Sequence, residues 1–448
     1  MDFNTFKNLV IAKCEELGIT EYELYYQAAE STSIAAFQHE INQFTSSIEG
    51  GVCFRCIVGG KMGYASTEAL SEAEAKAIVE RAKANAEVLE SEEAVFLGEG
   101  GKTYATVDRK PMELPTTDAL IAKVLQTQEK IYAANEAVVD GSTTQGISEK
   151  SVTAIVNSKG LDLYHEISIA GLVVAAVVTN GSEKANDYQI KLGSIEEIDN
   201  DALTKKAAEG ALRKLGGEVA PTGQYPVVFD SEAMSSMLQV YSSIFSSEAA
   251  QKGLSKLKGK EGQKIAADIV TIVDDPFHPE NPMPMPFDAE GSPTAKKNII
   301  EKGVFKTLLY NLKTANVDGV QTTGNAAKGG YASAVGVRPF SMYLEGGEMS
   351  EEELLGKVGN GVYITSLSGL HAGANAITGD FSLQSAGFMI EGGKKTTAVK
   401  SFTVAGNFYE LLKNVVAVAN NSHLPTAMGM TAFGAPTTWV DGLSIAGK

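Results

Sequence analysis

Only three cysteines and five histidines occur in 448 residues, and each scarcity removes a class of function. Cys14, Cys53 and Cys56 are odd in number and sparse, which excludes the disulfide framework of a secreted scaffold and points to a reducing cytoplasm. His39, His165, His278, His371 and His423 are scattered, and no G-x-S-x-G turn accompanies them, so a serine–histidine triad has no support. Long apolar runs are missing as well. The longest small-and-apolar stretch, residues 169–178, falls well short of the roughly 20 residues a membrane-spanning helix needs, so no membrane association is expected. Basic charge is also in deficit: 38 Lys and Arg against 55 Asp and Glu give a net charge of −17. A surface of that sign repels phosphate backbones, which excludes broad nucleic-acid binding. The excess is concentrated, with 20 basic and 34 acidic residues before Pro221 (−14) and 18 and 21 from it onward (−3).

What is present is a globular composition, 44% hydrophobic and 21% charged, long enough for two to three folding units with proper cores. Residues 2–17 carry Phe6, Leu9, Val10, Cys14 and Leu17 at helical spacing, without the basic and apolar regions of a signal peptide, so a folded start is expected. Strand-like alternation follows in 22–27, 33–48, 52–58 and 64–66. A second helix is predicted from Ser71 to about Leu89, with Ser71 and Glu74 as a capping box. The order then recurs: a helix from Thr117 or Asp118 to about Ala134, strands at 138–148, 150–157, 162–179 and 185–192, and a helix over 199–215. The fold class expected is therefore α+β. An N-terminal α+β domain (1–220) holds an internal duplication, with repeats 1–95 and 116–215, joined by a glycine- and proline-bearing link.

Beyond the boundary at 216–223 the texture changes. A short strand (225–229) and a helix (231–250) precede many short β-branched runs punctuated by glycines, which predicts a mainly β C-terminal domain (221–448) of curled or barrel-like sheet. Helices are predicted within it at 350–358 and 407–417.

The two His-Glu pairs, His39-Glu40 and His165-Glu166, lack a second histidine one turn later and lie in strand-like stretches, where neighbours point to opposite faces; they read as surface residues and not as metal ligands. Cys53 and Cys56 sit in a predicted strand and read as core. The segment from Gly98 to Thr103 imitates a phosphate loop but has Phe96 where its first glycine belongs, so it reads as a flexible linker. Lys252, Lys256, Lys258, Lys260 and Lys264 read as a solvated loop. The C-terminal half is richer. Asn325, Asn375, Thr378, Gly379, Asp380, Phe381, Ser382, Glu391 and Asn407 stand at expected strand ends, where glycine permits positive φ and Asn, Asp and Thr can bond main-chain amides. They suit a groove for an extended peptide; ordinary turn chemistry is the alternative.

These stretches resemble the TldD/PmbA family, described as modulators of DNA gyrase and as subunits of a cytoplasmic metallopeptidase. The likeness is most specific at Thr378-Gly379-Asp380-Phe381-Ser382, at Phe388 through Gly393, and at Ala405-Gly406-Asn407; Glu49-Gly50-Gly51-Val52 and Gly63-Tyr64-Ala65-Ser66-Thr67 add weaker agreement. The resemblance implies an α+β N-terminal region and a mostly β C-terminal region. It also implies that TldD-like members carry H-E-x-x-x-H on the first C-terminal helix, with a later cysteine completing the site. Here that helix has Gln239, Val240 and Ile244 at about those positions, and no cysteine follows Cys56. The chain thus resembles the PmbA branch, also called TldE. By that resemblance it is expected to hold no metal or other cofactor, with zinc only in a TldD-like partner, and to help hold an unfolded peptide. A stand-alone peptide-binding homodimer and a gyrase regulator are the alternative expectations.

Overall fold

The computed structural model describes residues 1–90, 93–107, 112–424 and 431–448. The first half comprises α1 (Phe3–Glu16), β1 (Tyr22–Phe37), β2 (Glu40–Val58), β3 (Lys61–Thr67), α2 (Glu72–Val88), α3 (Thr117–Ala133), β4 (Thr143–Asn157), β5 (Asp162–Thr179), β6 (Lys184–Leu192) and α4 (Asn200–Leu212). Side-chain caps open all four helices: Asp2, Ser71, Thr116 and Asp199 each accept from a backbone N–H two or three residues on. The strands form one antiparallel sheet in the order β3-β2-β1-β4-β5-β6. Helix, three strands and helix therefore occur twice, and the two units join through their first strands, β1 against β4.

Burial follows the two-residue period of the strands. Leu24, Phe54 and Cys56 face α1 and α2, whereas Ile34 and Ala36 meet α3 and α4 on the same face. Tyr25 and Cys53 point the other way, onto Phe287 of the second half. The two strand cysteines thus bury on opposite faces. Burial pushes Cys56 up to about 11 and Cys14, beside it in the helix-covered core, up to about 12, so neither is a ready thiolate.

The second half adds β7 (Glu218–Val219), β8 (Gly223–Phe229), α5 (Ser231–Tyr241), a 3-10 turn (Ser242–Phe245) and α6 (Ser247–Gln251). Next come β9 (Ile272–Asp274), β10 (Lys297–Glu301), β11 (Val304–Phe305), α7 (Leu312–Asp318), β12 (Ala326–Ala327), β13 (Gly336–Val337) and β14 (Ser341–Leu344). The chain ends with α8 (Glu351–Val358), β15 (Gly361–Ser368), α9 (Leu370–Gly373), β16 (Asp380–Glu391), β17 (Lys394–Asn407), α10 (Phe408–Lys413), β18 (Val415–Val418), β19 (Ala432–Gly434) and β20 (Thr438–Ala446). Strands β20, β8, β15, β16 and β17 close on themselves, because β20 also pairs with β17. This five-stranded barrel encloses Phe229, Ile364, Phe381, Phe402 and Val404 in the largest core. A second sheet, β11-β10-β9-β14-β19, stands beside it. No helix among the described residues is long and apolar enough to cross a membrane.

Several local expectations are corrected. The strand predicted over 33–48 is broken by a two-residue turn at Gln38 and His39, both with positive φ (49° and 67°), so His39 leaves the sheet and packs on Tyr132. The strands predicted at 138–148 and 150–157 are one, β4. The helix predicted over 231–250 ends at Tyr241, and Ser246 caps a separate short helix. Glu74 pairs with Arg81 at 2.8 Å rather than turning back on Ser71, so only half of that capping box forms. The segment read as a flexible linker is packed: the Gly98 carbonyl accepts from Asn157, and a Cβ on Gly98 would lie 2.1 Å from the Glu290 carbonyl oxygen.

Candidate functional site

The apolar spacing of Ala233, Met234, Met237, Leu238 and Tyr241 turns one face of α5 into the core and leaves Glu232 and Gln239 exposed. Asp230 caps the helix by accepting from the Ala233 amide at 2.7 Å. Of the three positions where the resemblance places metal ligands, Gln239 is exposed, Val240 packs against the core and Ile244 is fully buried among apolar side chains. A catalytic zinc takes about three His, Cys or carboxylate ligands, and these residues do not fit it. Among the described residues, no group of three His, Cys, Asp or Glu could hold a metal ion.

At its C-terminal end α5 is tied to the predicted site. Tyr241 stacks on Phe408 at 4.3 Å, meets Phe381 edge-on, and donates its hydroxyl to the Asp380 carbonyl at 2.8 Å. The turn preceding β16 is an Asx turn: Asn375 Oδ1 accepts from the amides of Ile377 and Thr378 at 2.9 and 3.1 Å. Gly379 has φ +86°, and a Cβ there would lie 2.5 Å from the Tyr409 ring, so both conformation and space require glycine. The β16–β17 register sets Asp380 opposite Asn407. Asn407 Nδ2 donates to Asp380 Oδ1 at 2.8 Å and to the Thr378 carbonyl at 2.9 Å, while its Oδ1 caps α10. Hydrogen bonds from Asn407 and Thr378 hold the exposed Asp380 carboxyl below its ordinary range.

Asn375, Thr378, Gly379, Asp380 and Asn407 are thus brought together, with Phe381 buried beneath them and Ser382 exposed one strand residue beyond. Glu391 is not part of this cluster. It ends β16, about 36 Å along the strand from Asp380, beside the Gly392-Gly393 turn. Asn325 is also elsewhere, fully buried, donating to Asp274 at 2.8 Å and to the Arg338 carbonyl at 3.0 Å. Its polar atoms serve the interior. Lys256, by contrast, is not held in a free loop: it donates to the Thr378 carbonyl at 2.6 Å and lies over the Tyr409 ring. Nothing local distinguishes it from the neighbouring lysines.

Asn407→Ala is expected to lower unfolding free energy by about 2 kcal/mol, since it removes a helix cap and two further bonds. The accompanying mark is faster hydrogen exchange at the amides of Gly379 and Phe408, which are bonded within this turn. Unchanged exchange there would show that the turn holds itself.

Among the cavities that lie away from this cluster in the described residues are two that adjoin titratable side chains. One, about 440 Å³, sits at the opposite end of α5, between α4 and the barrel, with Asp230, Tyr363, Lys395 and Lys206 in its wall. Burial pushes Asp230 up to about 8. The other, about 750 Å³, lies between β5 and the segment carrying Pro279, Pro282 and Pro284. There His165 Nε2 is 2.8 Å from the Pro284 carbonyl oxygen, and burial lowers its pKa. Its neighbour Glu166 turns to Lys150 at 2.9 Å.

Comparison with known proteins gives one consistent result. Family models described as PmbA/TldA metallopeptidase domain 1, central domain and C-terminal domain match residues 22–86, 110–215 and 222–447. A metalloprotease of Methanothermobacter thermautotrophicus is 27% identical over 410 residues, covering 88% of this chain and 87% of that protein. A Haemophilus influenzae protein named a metalloprotease PmbA homolog is 26% identical, with 87% and 85% covered. Among solved structures, a Thermotoga maritima protein whose name proposes a modulator of a DNA gyrase superposes with a TM-score of 0.90 at 31% identity, covering 99% of this chain and 100% of that one. TldE from Thermococcus kodakarensis shares the fold, with a TM-score of 0.88 at 24% identity over 98% and 99% of the two chains.

Proposed function

The chain belongs to the PmbA/TldD metallopeptidase family, and from that premise we propose that it is a metal-free, PmbA/TldE-like subunit of a heteromeric metallopeptidase acting on unfolded peptides. The observation that carries this reading is α5 and the 3-10 turn after it, where Gln239, Val240 and Ile244 occupy the positions expected of metal ligands, two of them committed to apolar packing. A TldD-like chain would bring the zinc. This chain would help to hold the peptide, and the Asp380–Asn407 cluster supports such a role as a rigid rim. Its polar groups are largely spent on one another, which fixes the turn and leaves the exposed Asp380 carboxylate and Ser382 hydroxyl to meet a passing main chain.

The chain purified alone is expected to contain no stoichiometric zinc by elemental analysis and to leave an unstructured casein peptide intact. Mixed with a TldD-like chain, it should give both metal and cleavage. Metal-dependent cleavage by this chain alone would overturn the proposal.

A further inference from the structure

We propose that the cavity between α4 and the barrel binds a small organic anion, a carboxylate carried on an apolar body, with its charge held by Lys206 and Arg213 and its body laid on Phe388 and Val399. This site stands apart from the Asp380–Asn407 cluster and does not depend on the function proposed above.

The barrel changes shape where it meets this cavity. The register of β15 against β16 slips between Ile364 and Ser366, and that of β16 against β17 slips between Ser385 and Gly387 and again between Phe388 and Ile390. Thr365, Ala386, Thr396 and Lys400 are among the residues left unmatched by these slips, and all four stand in the cavity wall. A bulge bends its strand and re-aims a side chain, and bulges gather where a sheet makes room for a site. Beside Lys400, Ser401 has φ 54°, a backbone conformation unfavourable to a residue other than glycine. The space so opened is about 440 Å³. Pockets for small ligands run from about 300 to 1,000 Å³.

Charge in the wall runs against the acid excess of the whole chain. The cationic heads of Lys206, Arg213, Lys214, Lys395 and Lys400 meet only Asp187, Asp230 and Glu232 there. Burial raises Asp230 to about 8, so at neutral pH its carboxyl adds little negative charge. Lys214 is tied to Asp187 at 2.8 Å. Lys395 reaches Glu351 at 2.6 Å and Lys400 reaches Glu183, but both of these carboxylates stand outside the wall. Arg213 lies 3.6 Å from Glu209 at an exposed site, where such a contact holds little of its charge. Lys206 has no acidic partner among the described residues. These two cations, two turns apart along α4 and its C-cap, are the least engaged in the wall.

That inventory selects the ligand. Two loosely held cations suit one carboxylate and not a polyphosphate. The opposite wall is apolar at Phe388, Ala398 and Val399, and Tyr363 lies beneath Lys395, whose ammonium is 3.8 Å from the ring centre. A bare inorganic anion leaves that surface in water, whereas an aromatic or aliphatic body covers it and adds the hydrophobic share of affinity.

Isothermal titration of the full chain with 3-phenylpropionate near neutral pH is expected to show saturable binding at one site per chain. The amide 3-phenylpropionamide has the body without the charge, and inorganic phosphate has charge without the body; each should bind at least about tenfold more weakly. Lys206→Gln/Arg213→Gln should weaken 3-phenylpropionate binding by about tenfold with unchanged circular dichroism, since both side chains are exposed. Location is read by hydrogen exchange: the ligand should slow exchange over residues 385–388 and leave 375–380 unchanged. An absence of saturable binding up to about 10 mM, an amide or phosphate that matches the acid, a double variant with wild-type affinity, or protection confined to other segments would each overturn the proposal.

Discussion

Arg55→Ala is expected to destabilise the protein by about 3–5 kcal/mol, the cost of leaving a buried carboxylate without its counter-ion. Arg55 and Glu23 face each other across β2 and β1, on the side of the sheet that meets the second half. Their side chains are 7% and 2% exposed, and the guanidinium lies 2.7 Å from Glu23 Oε1. Glu23 also accepts from Asn157 at 3.1 Å, and where burial raises the nearby Glu290 the Arg55 charge opposes that rise. Truncation would strand two acids at once. The paired change Glu23→Leu/Arg55→Met should recover most of the loss, because an apolar pair of similar volume has no desolvation penalty. Denaturant midpoints of the three variants test this; a single variant within about 1 kcal/mol of wild type would mean that water replaces the guanidinium.

The second large effect concerns pH. Asp230 is enclosed by Glu232 of α5, Glu351 of α8, Tyr363 of β15 and Lys395 of β17, and burial is the leading cause of its rise to about 8. A carboxyl raised in the folded state favours its neutral form there. Its contribution to stability is therefore full below the ordinary pKa of 3.8 and is lost as pH rises to about 8. The full shift corresponds to about 6 kcal/mol, which the water reaching the adjoining cavity reduces to roughly 2–4 kcal/mol. Asp230→Asn keeps an oxygen to cap α5 and cannot ionise. It should raise the melting temperature at pH 8 and converge on wild type near pH 4. Part of the wild-type slope should remain, because burial also raises Asp288 and Glu290. Parallel melting curves for variant and wild type from pH 4 to 8 would show that Asp230 is already ionised and solvated.

How far the site was legible depends on the distance over which each contact acts. The turn around Asn375, Thr378, Gly379 and Asp380 is local, and its Asn, Gly and Asp chemistry is visible in the residues themselves. Asn407 joins it through strand register, which the flanking Phe388 to Gly393 hairpin makes plausible from sequence. Glu391 and Asn325 carry the same kind of side chain and lie elsewhere, since residue type does not state which strand ends meet. Tyr241 and Lys256 reach the cluster from 139 and 122 residues away in the chain, a pairing no local pattern encodes. The break at Gln38 and His39 was hidden for another reason: a two-residue turn with positive φ usually announces itself with glycine or asparagine, and here it does not.

By itself the amino-acid order determined the four N-terminal helices, the α+β class, the family, and the lack of metal-ligand residues on α5, because each depends on side-chain chemistry within a few positions. Only the tertiary structure decided which glycine-rich turns share a site and that Arg55 and Glu23 are sealed between the two halves. Those are outcomes of register and packing between distant segments, where the free energy lies in the fit of surfaces and not in any residue's own preference.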